Sequence, residues 1–380
     1  MDEKRFDIAV TGAGIAGASA AAHLARTARV VVLEQESHPG YHATGRSAAL
    51  FSEIYGNTVV RALSRASRAF LFTPPDGFSE HALTAPRGAL HIARSDQMGA
   101  LEELLREPDV AANAHFVDAA EVMRLSPILR EDYAVGGAHE PDARDIDVHG
   151  LHQGYLKLLK ARGGTLVCDA PCAGIERMGD VWRIRAGDDV YTAPIIVNAA
   201  GAWADEIAVL AGVSPLGITP CRRTAMLIEA PPVAGIDRMP LTIDMAEEFY
   251  FKPDAGKLFI SPADETPSPP CDAQPDELDI AIAIDRVQTA TTLEIARVSS
   301  KWAGLRSFAP DRSLVIGFDR AAEGFFWLAG QGGYGIQTAP AASRLAAALI
   351  LGQGVPNDIA DFGVSADMVS PKRFVPDQAR

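Results

Sequence analysis

Three glycines and one acidic residue near the start of the chain have the types and the spacing of a dinucleotide-binding site. Gly12, Gly14 and Gly17 form a G-x-G-x-x-G pattern, and Glu34 follows it at the spacing of a ribose-binding acid. The first glycine permits a tight turn, the second lets the backbone approach a pyrophosphate, and the third allows a helix to pack closely. Because an acid here would repel a 2′-phosphate, the pattern predicts FAD or NAD rather than NADP.

The sequence around these residues predicts the strand-helix-strand unit that such a site needs. Residues 6–11 form an apolar run, residues 15–26 are rich in alanine, and residues 29–33 are almost wholly β-branched. Residues 37–56, rich in Gly, Ser and Thr, predict a functional loop, and residues 59–72 predict a helix. The glycines would then lie at a helix N-terminus, where unpaired N–H groups favour a phosphate.

The rest of the chain predicts an α/β fold with two interleaved domains, for which 380 residues are enough. We predict a Rossmann-like nucleotide-binding domain at residues 1–76, 148–214 and 306–380, interleaved with a mixed β-sheet substrate domain at residues 77–147 and 215–305. The other predicted elements are helices at 95–106, 146–161 and 339–351, strands at 165–167, 181–185, 193–199, 314–317 and 325–329, and a Pro-rich surface stretch at 262–275.

Composition and charge exclude several classes of function. The formal net charge of -14 argues against nucleic acid as a partner, because a duplex binder needs a basic face. The four cysteines, Cys168, Cys172, Cys221 and Cys271, lack the paired spacing of a metal site, so we expect reduced thiols and no metal. The N-terminus does not resemble a signal peptide, and no apolar run is long enough to cross a membrane. We therefore expect a cytoplasmic enzyme with no integral membrane segment.

Several segments together resemble the D-amino-acid oxidase family of flavoproteins, and within it the bacterial D-arginine dehydrogenases. The resemblance spans nearly the whole chain. It is carried by Val10 to Gly17, Glu34, Gly45 to Ala49, Val197 to Trp203, Trp302 to Arg306 and Gly330 to Thr338.

The resemblance implies that the nucleotide-binding domain holds FAD. We expect non-covalent binding, because no cysteine follows Cys271 where sarcosine oxidases carry the cysteine that bonds the flavin. The residues implied to bind the cofactor are Gly12, Gly14, Ile15, Ala16, Gly17, Glu34, Gln35, Thr44, Gly45, Arg46, Ser47, Ala48, Ala200, Gly201, Trp203, Gly304, Arg306, Gly332, Gly333, Tyr334, Gly335, Ile336 and Gln337.

The resemblance also implies the residues that hold the substrate. Arg223 and Arg306 match family arginines that bind a substrate carboxylate, for which a planar guanidinium is well suited. Tyr55 and Tyr250 match tyrosines that close over the substrate and take part in catalysis. Gly333 and Gln337 complete the implied substrate contacts. The neighbouring Arg222 is expected to be a solvated surface residue.

Two departures from the D-arginine dehydrogenases bear on the substrate. Those enzymes carry a carboxylate and a histidine where this chain has Ala89 and Leu50. Because a buried cation without a partner costs several kcal/mol, a smaller or more apolar substrate side chain is expected. Glu53 or Glu247 is an alternative source of the missing charge, and His42 is expected to be structural rather than catalytic.

The expected reaction is oxidation of the Cα–N bond of an α-amino acid, of D configuration by the resemblance. Hydride transfer to flavin N5 would give an imino acid that hydrolyses to a 2-oxo acid and ammonia, and no general base is assigned because a neutral amine needs none. The alternatives are oxidation of an N-methyl or cyclic imino acid such as sarcosine or D-proline, an NAD-dependent dehydrogenase, and a flavoprotein without turnover. The electron acceptor and the oligomeric state are left open.

Overall fold

A six-stranded sheet, here called the nucleotide sheet, carries the glycine pattern at its centre. The structure is a computed structural model that describes residues 3–374. The strands of this sheet are, in spatial order, Thr165–Val167, Val30–Leu33, Ile8–Thr11, Ile195–Asn198, Phe325–Ala329 and Val315–Phe318. All are parallel except Val315–Phe318, which is antiparallel to its neighbour. The strands are rich in Val and Ile and almost wholly buried, as expected for a parallel sheet covered on both faces.

Helices cover one face of the nucleotide sheet, and a small sheet covers the other. Helices Ile15–Leu24, Thr58–Phe72, Val148–Ala161 and Gly335–Ile350 pack together on the first face. The opposite face packs against helix Ala204–Leu210 and a four-stranded sheet. The strands of that sheet are, in order, Glu3–Arg5, Asp189–Ala193, Val181–Ala186 and Cys172–Met178.

The last long helix begins earlier than its sequence predicts. The Ala-rich composition after the glycines predicts a helix at residues 339–351, but the helix runs from Gly335 to Ile350 with Pro340 inside it. Proline crowds the preceding turn, and the N–H of Ala341 donates to the hydroxyl oxygen of Ser67 at 3.0 Å. The earlier start brings the helix N-terminus next to the glycine-rich turn that precedes it.

A second large sheet, here called the substrate sheet, has ten strands and mixed directions. Nine of them follow the order Gln331–Gly332, Val298–Phe308, Thr219–Glu229, Lys257–Ser261, Tyr250–Asp254, Leu241–Asp244, Ala89–Ala93, Gly136–Glu140 and His115–Asp118, and Thr266–Pro267 pairs with Thr219–Glu229. One face is covered by helices Glu277–Ala290 and Ala119–Leu125. The predicted fold class, a Rossmann-like domain interleaved with a mixed-sheet domain, is confirmed.

The predicted domain boundaries stay a prediction. Strand Val298–Phe308 runs across the predicted boundary at 305/306. A three-stranded sheet of Leu50–Phe51, Arg144–Ile146 and Thr84–Pro86 joins segments assigned to different domains. The remaining α-helices are Met98–Arg106, Pro108–Ala111, Asn357–Ala360 and Ala366–Val369. Between residues 3 and 374, no helix combines the length and the apolar character needed to cross a bilayer.

Candidate active site

A cavity of about 480 Å³ lies between the carboxyl ends of the nucleotide strands and one face of the substrate sheet. Thr11 and Leu33, the last residues of two parallel strands, open onto it from one side. From the other side it is lined by Arg223, Arg306 and Tyr250 of the substrate sheet. The carboxyl ends of parallel strands are the usual place for a nucleotide, and the volume falls within the range of ligand pockets.

Most of the residues predicted for the site line this cavity. They are Gly12, Gly14, Ile15, Ala16, Glu34, Gln35, Thr44, Arg46, Ser47, Ala48, Ala200, Gly201, Trp203, Arg223, Tyr250, Gly304, Arg306, Gly332, Gly333, Gly335 and Ile336. The predicted residues that do not line it are Gly17, Gly45, Tyr55, Tyr334 and Gln337.

The turn at Gly12 is where the chain needs a glycine most. Gly12 has a φ of +93°, and a Cβ there would lie 2.6 Å from the carbonyl oxygen of Ala199 on the neighbouring strand. Gly14 caps the helix without a side-chain hydrogen bond, and Thr44 accepts from the N–H of Ile15 at 3.0 Å. The backbone is therefore bare where the helix begins, which leaves room for a pyrophosphate at its N-terminus.

Glu34 ends the second strand of the nucleotide sheet with its carboxylate held in place. One oxygen accepts from the N–H of Ala13 at 2.7 Å, and the other accepts from the N–H of Glu36 at 3.0 Å. Each carboxylate oxygen has a second lone pair, and the residue lines the cavity. The position therefore suits acceptance of ribose hydroxyls.

The loop after Glu34 connects the two sheets and adds aromatic groups to the cavity. The Nε2 atom of His42 lies 2.9 Å from a carboxylate oxygen of Glu36, and the His42 ring lies 4.6 Å from the ring of Trp203. Arg46 donates to the carbonyl oxygens of Ala273 and Ala303 at 3.0 and 2.9 Å. Arg46 thus anchors the loop to the substrate sheet, so its guanidinium is held by protein groups.

A second helix N-terminus also faces the cavity. Gly332, Gly333 and Gly335 line it just before or at the start of the last long helix. A Cβ on Gly333 would lie 2.8 Å from a guanidinium nitrogen of Arg306, so the absence of a side chain there makes room for that arginine. Two helix starts with glycines, a ribose-type acid and one cavity that all of them line together fit a dinucleotide with a second ring system.

The substrate sheet places Arg223 and Arg306 on the same face. Arg223 is opposite Gly304 and Cys221 is opposite Arg306 in an antiparallel pair, so the two arginines are diagonal neighbours. Arg306 donates from Nη1 to the Tyr55 hydroxyl at 3.0 Å. Burial opposes the charge of Arg306, but its interactions with Tyr55, Tyr250 and Glu247 outweigh this and raise its pKa above the ordinary value. Arg306 has no salt bridge to any carboxylate in the described part of the chain.

Arg223 has a different environment from Arg306. Its Nη2 atom lies 3.0 Å from a carboxylate oxygen of Glu265, and Glu265 also pairs with Arg312. Arg222, one residue earlier, points to the opposite face of the strand. There it pairs with Asp279 at 2.7 Å, so the expectation of a solvated Arg222 is wrong.

Three of the predicted site residues do not line the cavity and instead contact other protein groups: Tyr55, Tyr334 and Gln337. The rings of Tyr55 and Tyr334 are 4.9 Å apart, and burial raises the pKa of Tyr334 to about 12. The Gln337 side chain is buried between the N–H of Ser52 and the hydroxyl of Ser64, at 3.0 and 2.8 Å. The side-chain amide is thus held by protein groups, and the predicted contacts of Gln337 with substrate and cofactor stay predictions.

Leu50 and Ala89 are the two positions that depart from the D-arginine dehydrogenases. In the structure both side chains are at least partly buried. Leu50 packs with Tyr250 and Phe259 in an apolar cluster beside the cavity. Ala89 is fully buried and lies opposite Glu140 on the neighbouring strand.

Glu140 is a buried acid that the sequence analysis did not predict, because no local sequence pattern distinguishes it before the pairing of the strands is known. Its exposure is 1%, it accepts from the Ser52 hydroxyl at 2.6 Å, and burial raises its pKa to about 7.

The two glutamates considered as replacements for the missing charge differ in position. Glu53 is buried, pairs with Arg68 at 2.7 Å and does not line the cavity, so it is not placed to meet a substrate. Glu247 is exposed on a loop, with a φ of +53°. It lies close enough to the cavity to contribute to the raised pKa values of Arg306 and Tyr334.

Comparison with known proteins agrees with this geometry. A model of the FAD dependent oxidoreductase family, DAO, matches residues 7–349. Human mitochondrial sarcosine dehydrogenase is 24% identical over 343 residues, which cover 84% of this chain and 37% of that protein. Glycine oxidase of Geobacillus kaustophilus is 20% identical over 373 residues, which cover 95% of this chain and 97% of the oxidase.

Solved structures show the same fold. That of the Geobacillus glycine oxidase has a TM-score of 0.81 at 20% identity and covers 98% of this chain and 100% of its own. That of L-proline dehydrogenase from P. horikoshii has a TM-score of 0.82 at 20% identity and covers 98% of both chains. This chain spans about half or less of several curated relatives that it matches.

Proposed function

The chain belongs to the DAO family of FAD-dependent oxidoreductases, and we propose that it oxidises the Cα–N bond of a small α-amino acid of D configuration. FAD is the cofactor of the family, and the glycine turn, Glu34 and the second helix start fit it. When bound, FAD supplies the hydride acceptor. The product would be an imino acid that hydrolyses to a 2-oxo acid and ammonia.

The observation that carries the proposal is the environment of Arg306. Its guanidinium is charged, lines the cavity and is bound at one edge by the Tyr55 hydroxyl, and within residues 3–374 no carboxylate forms a salt bridge with it. A substrate carboxylate would satisfy the free donors and form charge-assisted hydrogen bonds. Arg306 would thereby orient the substrate, since correct placement of the reacting atoms supplies much of the rate.

The neighbouring side chains favour a small or apolar substrate side chain. Leu50, Phe259 and Ala225 form an apolar cluster with Tyr250 beside Arg306. We propose that Tyr250 closes over the amine side and that Tyr55, which does not line the cavity, takes part through its hydrogen bond to Arg306. Arg223 would contribute a further donor, and the amine would bind neutral, so that no general base is needed. Glu247 at the loop is the remaining acid for a longer cationic substrate.

A second candidate is oxidation of a secondary amine. Human sarcosine dehydrogenase and the L-proline dehydrogenase from P. horikoshii are among the proteins that this chain resembles, and their names indicate N-methyl and cyclic substrates. The same carboxylate site would serve such substrates.

Non-covalent attachment of FAD and a cytoplasmic location also stay predictions.

The proposal is tested by anaerobic titration of the purified yellow protein. The panel is D- and L-alanine, glycine, sarcosine, D- and L-proline and D-arginine, and the readout is bleaching of the visible flavin absorbance. D-alanine is expected to bleach the flavin faster than D-arginine and L-alanine. Faster reduction by sarcosine or proline would favour the second candidate, and no reduction by any amine would contradict both. Reoxidation with air or a quinone then identifies the acceptor, and acid precipitation that releases all flavin would establish non-covalent binding.

A further inference from the structure

Glu265 forms a fixed ion pair with one of the two arginines on the cavity face. The Arg223 side chain is nine-tenths buried, and its Nη2 atom lies 3.0 Å from Glu265. Arg312 donates from Nη2 to both oxygens of Glu265, at 3.0 and 2.8 Å. Three hydrogen bonds from two arginines therefore hold this carboxylate. Arg223 shares the negative charge of Glu265 with Arg312, so the charge of Arg223 is offset in part.

The local backbone explains why Glu265 reaches Arg223. Strand Thr219–Glu229 pairs with Thr266–Pro267 at one end and with Lys257–Ser261 at the other, and the chain loops outward between these two partners. Asp264 fills the gap by accepting from the N–H and hydroxyl of Thr224, at 2.6 and 3.1 Å. This fixed loop presents the next residue, Glu265, to Arg223.

The two arginines therefore differ in how much positive charge they present to a ligand. Arg306 has no carboxylate partner among residues 3–374, and its charge is available. Arg223 keeps a buried Nε atom with no hydrogen-bond partner in the same part of the chain, but its charge is already partly offset by Glu265. A ligand with one carboxylate can bind Arg306. A second carboxylate on the same ligand would meet Arg223, whose charge is weakened by the adjacent Glu265 carboxylate.

We propose that Glu265 is a specificity-determining residue that restricts the substrate to monocarboxylates. This inference rests on the proposed function, in which a carboxylate binds Arg306. Like charges held close together in a partly buried site repel each other, so aspartate-like and iminodiacetate-like substrates are disfavoured. Glu265 contacts Arg223, which lines the cavity, and is not itself a lining residue, so it would act through the charge of that arginine.

The test compares FAD-loaded wild type with E265Q, using acetate and malonate as non-oxidisable ligands in calorimetric titrations. E265Q leaves the charge of Arg223 unbalanced, so malonate should bind at least about tenfold more tightly than to wild type, while acetate should change less than threefold. E229Q is the matched control, because Glu229 lies on the Arg223 strand and is exposed. It should leave both affinities unchanged. R312Q removes positive charge near Glu265 and should not raise the preference for malonate.

Equal changes for both ligands in E265Q, or no change, would overturn the inference. If E265Q does not retain FAD, the test is the comparison of the two ligands on the wild-type protein alone. Acetate should then bind at least about tenfold more tightly than malonate, and equal affinities would overturn the inference. No binding of either carboxylate would instead count against the Arg306 site of the proposed function. Failure of every amine to bleach the flavin would count against amine oxidation alone, because these titrations need no turnover.

Discussion

Arg306 donates a hydrogen bond to the hydroxyl of Tyr55 across 3.0 Å, although the two residues are 251 positions apart in the chain. The bond joins a strand of the substrate sheet to the loop that precedes helix Thr58–Phe72. Since Tyr55 also packs against Tyr334, one edge of the guanidinium is fixed while the rest stays available to a ligand.

Tyr55→Phe should weaken carboxylate binding by about tenfold. A hydrogen bond that involves a charged group contributes about 1.5–3 kcal/mol, and the ring would still pack against Tyr334. The expected change is in KM and in the dissociation constant of acetate, with the flavin spectrum retained. Tyr191→Phe is the matched control, because its hydroxyl contacts Asp189 outside the cavity. Equal effects of the two substitutions would contradict a specific role for the Arg306 contact.

Arg306→Met should raise KM by about a hundredfold or more while the protein still purifies yellow. The substitution removes the free cation but keeps an unbranched apolar side chain of similar reach. KM and acetate affinity check the binding loss, and the ratio of flavin to protein checks cofactor retention.

Arg222→Met is the comparison that separates binding from stability. Arg222 is on the same sheet but faces Asp279 on the other side. Its replacement should lower the melting temperature, because it leaves the half-buried carboxylate of Asp279 without its cation, and it should leave KM nearly unchanged. An unchanged KM in Arg306→Met would disprove the assignment of Arg306.

Gly12→Ala should reduce the flavin content of the purified protein severely. The new Cβ would lie 2.6 Å from the Ala199 carbonyl oxygen, and backbone atoms cannot easily give way. Gly256→Ala is the control, because Gly256 also has a positive φ, of +77°, but nothing lies within 4 Å of an added Cβ. The control should lose about 1 kcal/mol of stability through backbone strain and keep its flavin. Full flavin content in Gly12→Ala would contradict the close approach.

The sequence was most informative where the chemistry is local. The glycine turn, the helix after it and Glu34 all lie within one strand-helix-strand unit, and their spacing suffices to predict them. Helix Gly335–Ile350 shows the limit of local rules, because Ser67 of another helix accepts the N–H of the residue after Pro340.

Partners that come together only in the folded sheet could not be predicted. Arg222 was assigned to the surface because nothing in its own segment indicates that Asp279 faces it. Glu265 lies 42 residues from Arg223, and Glu140 lies 88 residues from Ser52. Their importance depends on which strands are neighbours, and that pairing is not encoded in short-range spacing.

Glu140→Gln should stabilise the protein above neutral pH and have little effect in acid. The ordinary pKa of the carboxyl is 4.5, and burial raises it to about 7 in the folded protein. Between these values the folded state binds a proton that the unfolded state lacks, so stability falls as pH rises from about 4.5 through 7. The ionised form therefore costs on the order of 3 kcal/mol or less above pH 7.

Glutamine imitates the protonated carboxyl, because it still accepts the Glu53 N–H and offers an N–H to the Ser52 hydroxyl. The difference in melting temperature between Glu140→Gln and wild type should be near zero at pH 4.5, grow through pH 7, and level off above it. Glu229→Gln, at an exposed site, should show no such growth. A difference independent of pH would mean that Glu140 titrates normally. Destabilisation of Glu140→Gln that increases with pH would mean that the ionised carboxylate is favoured by its hydrogen bonds, against the dominant effect of burial.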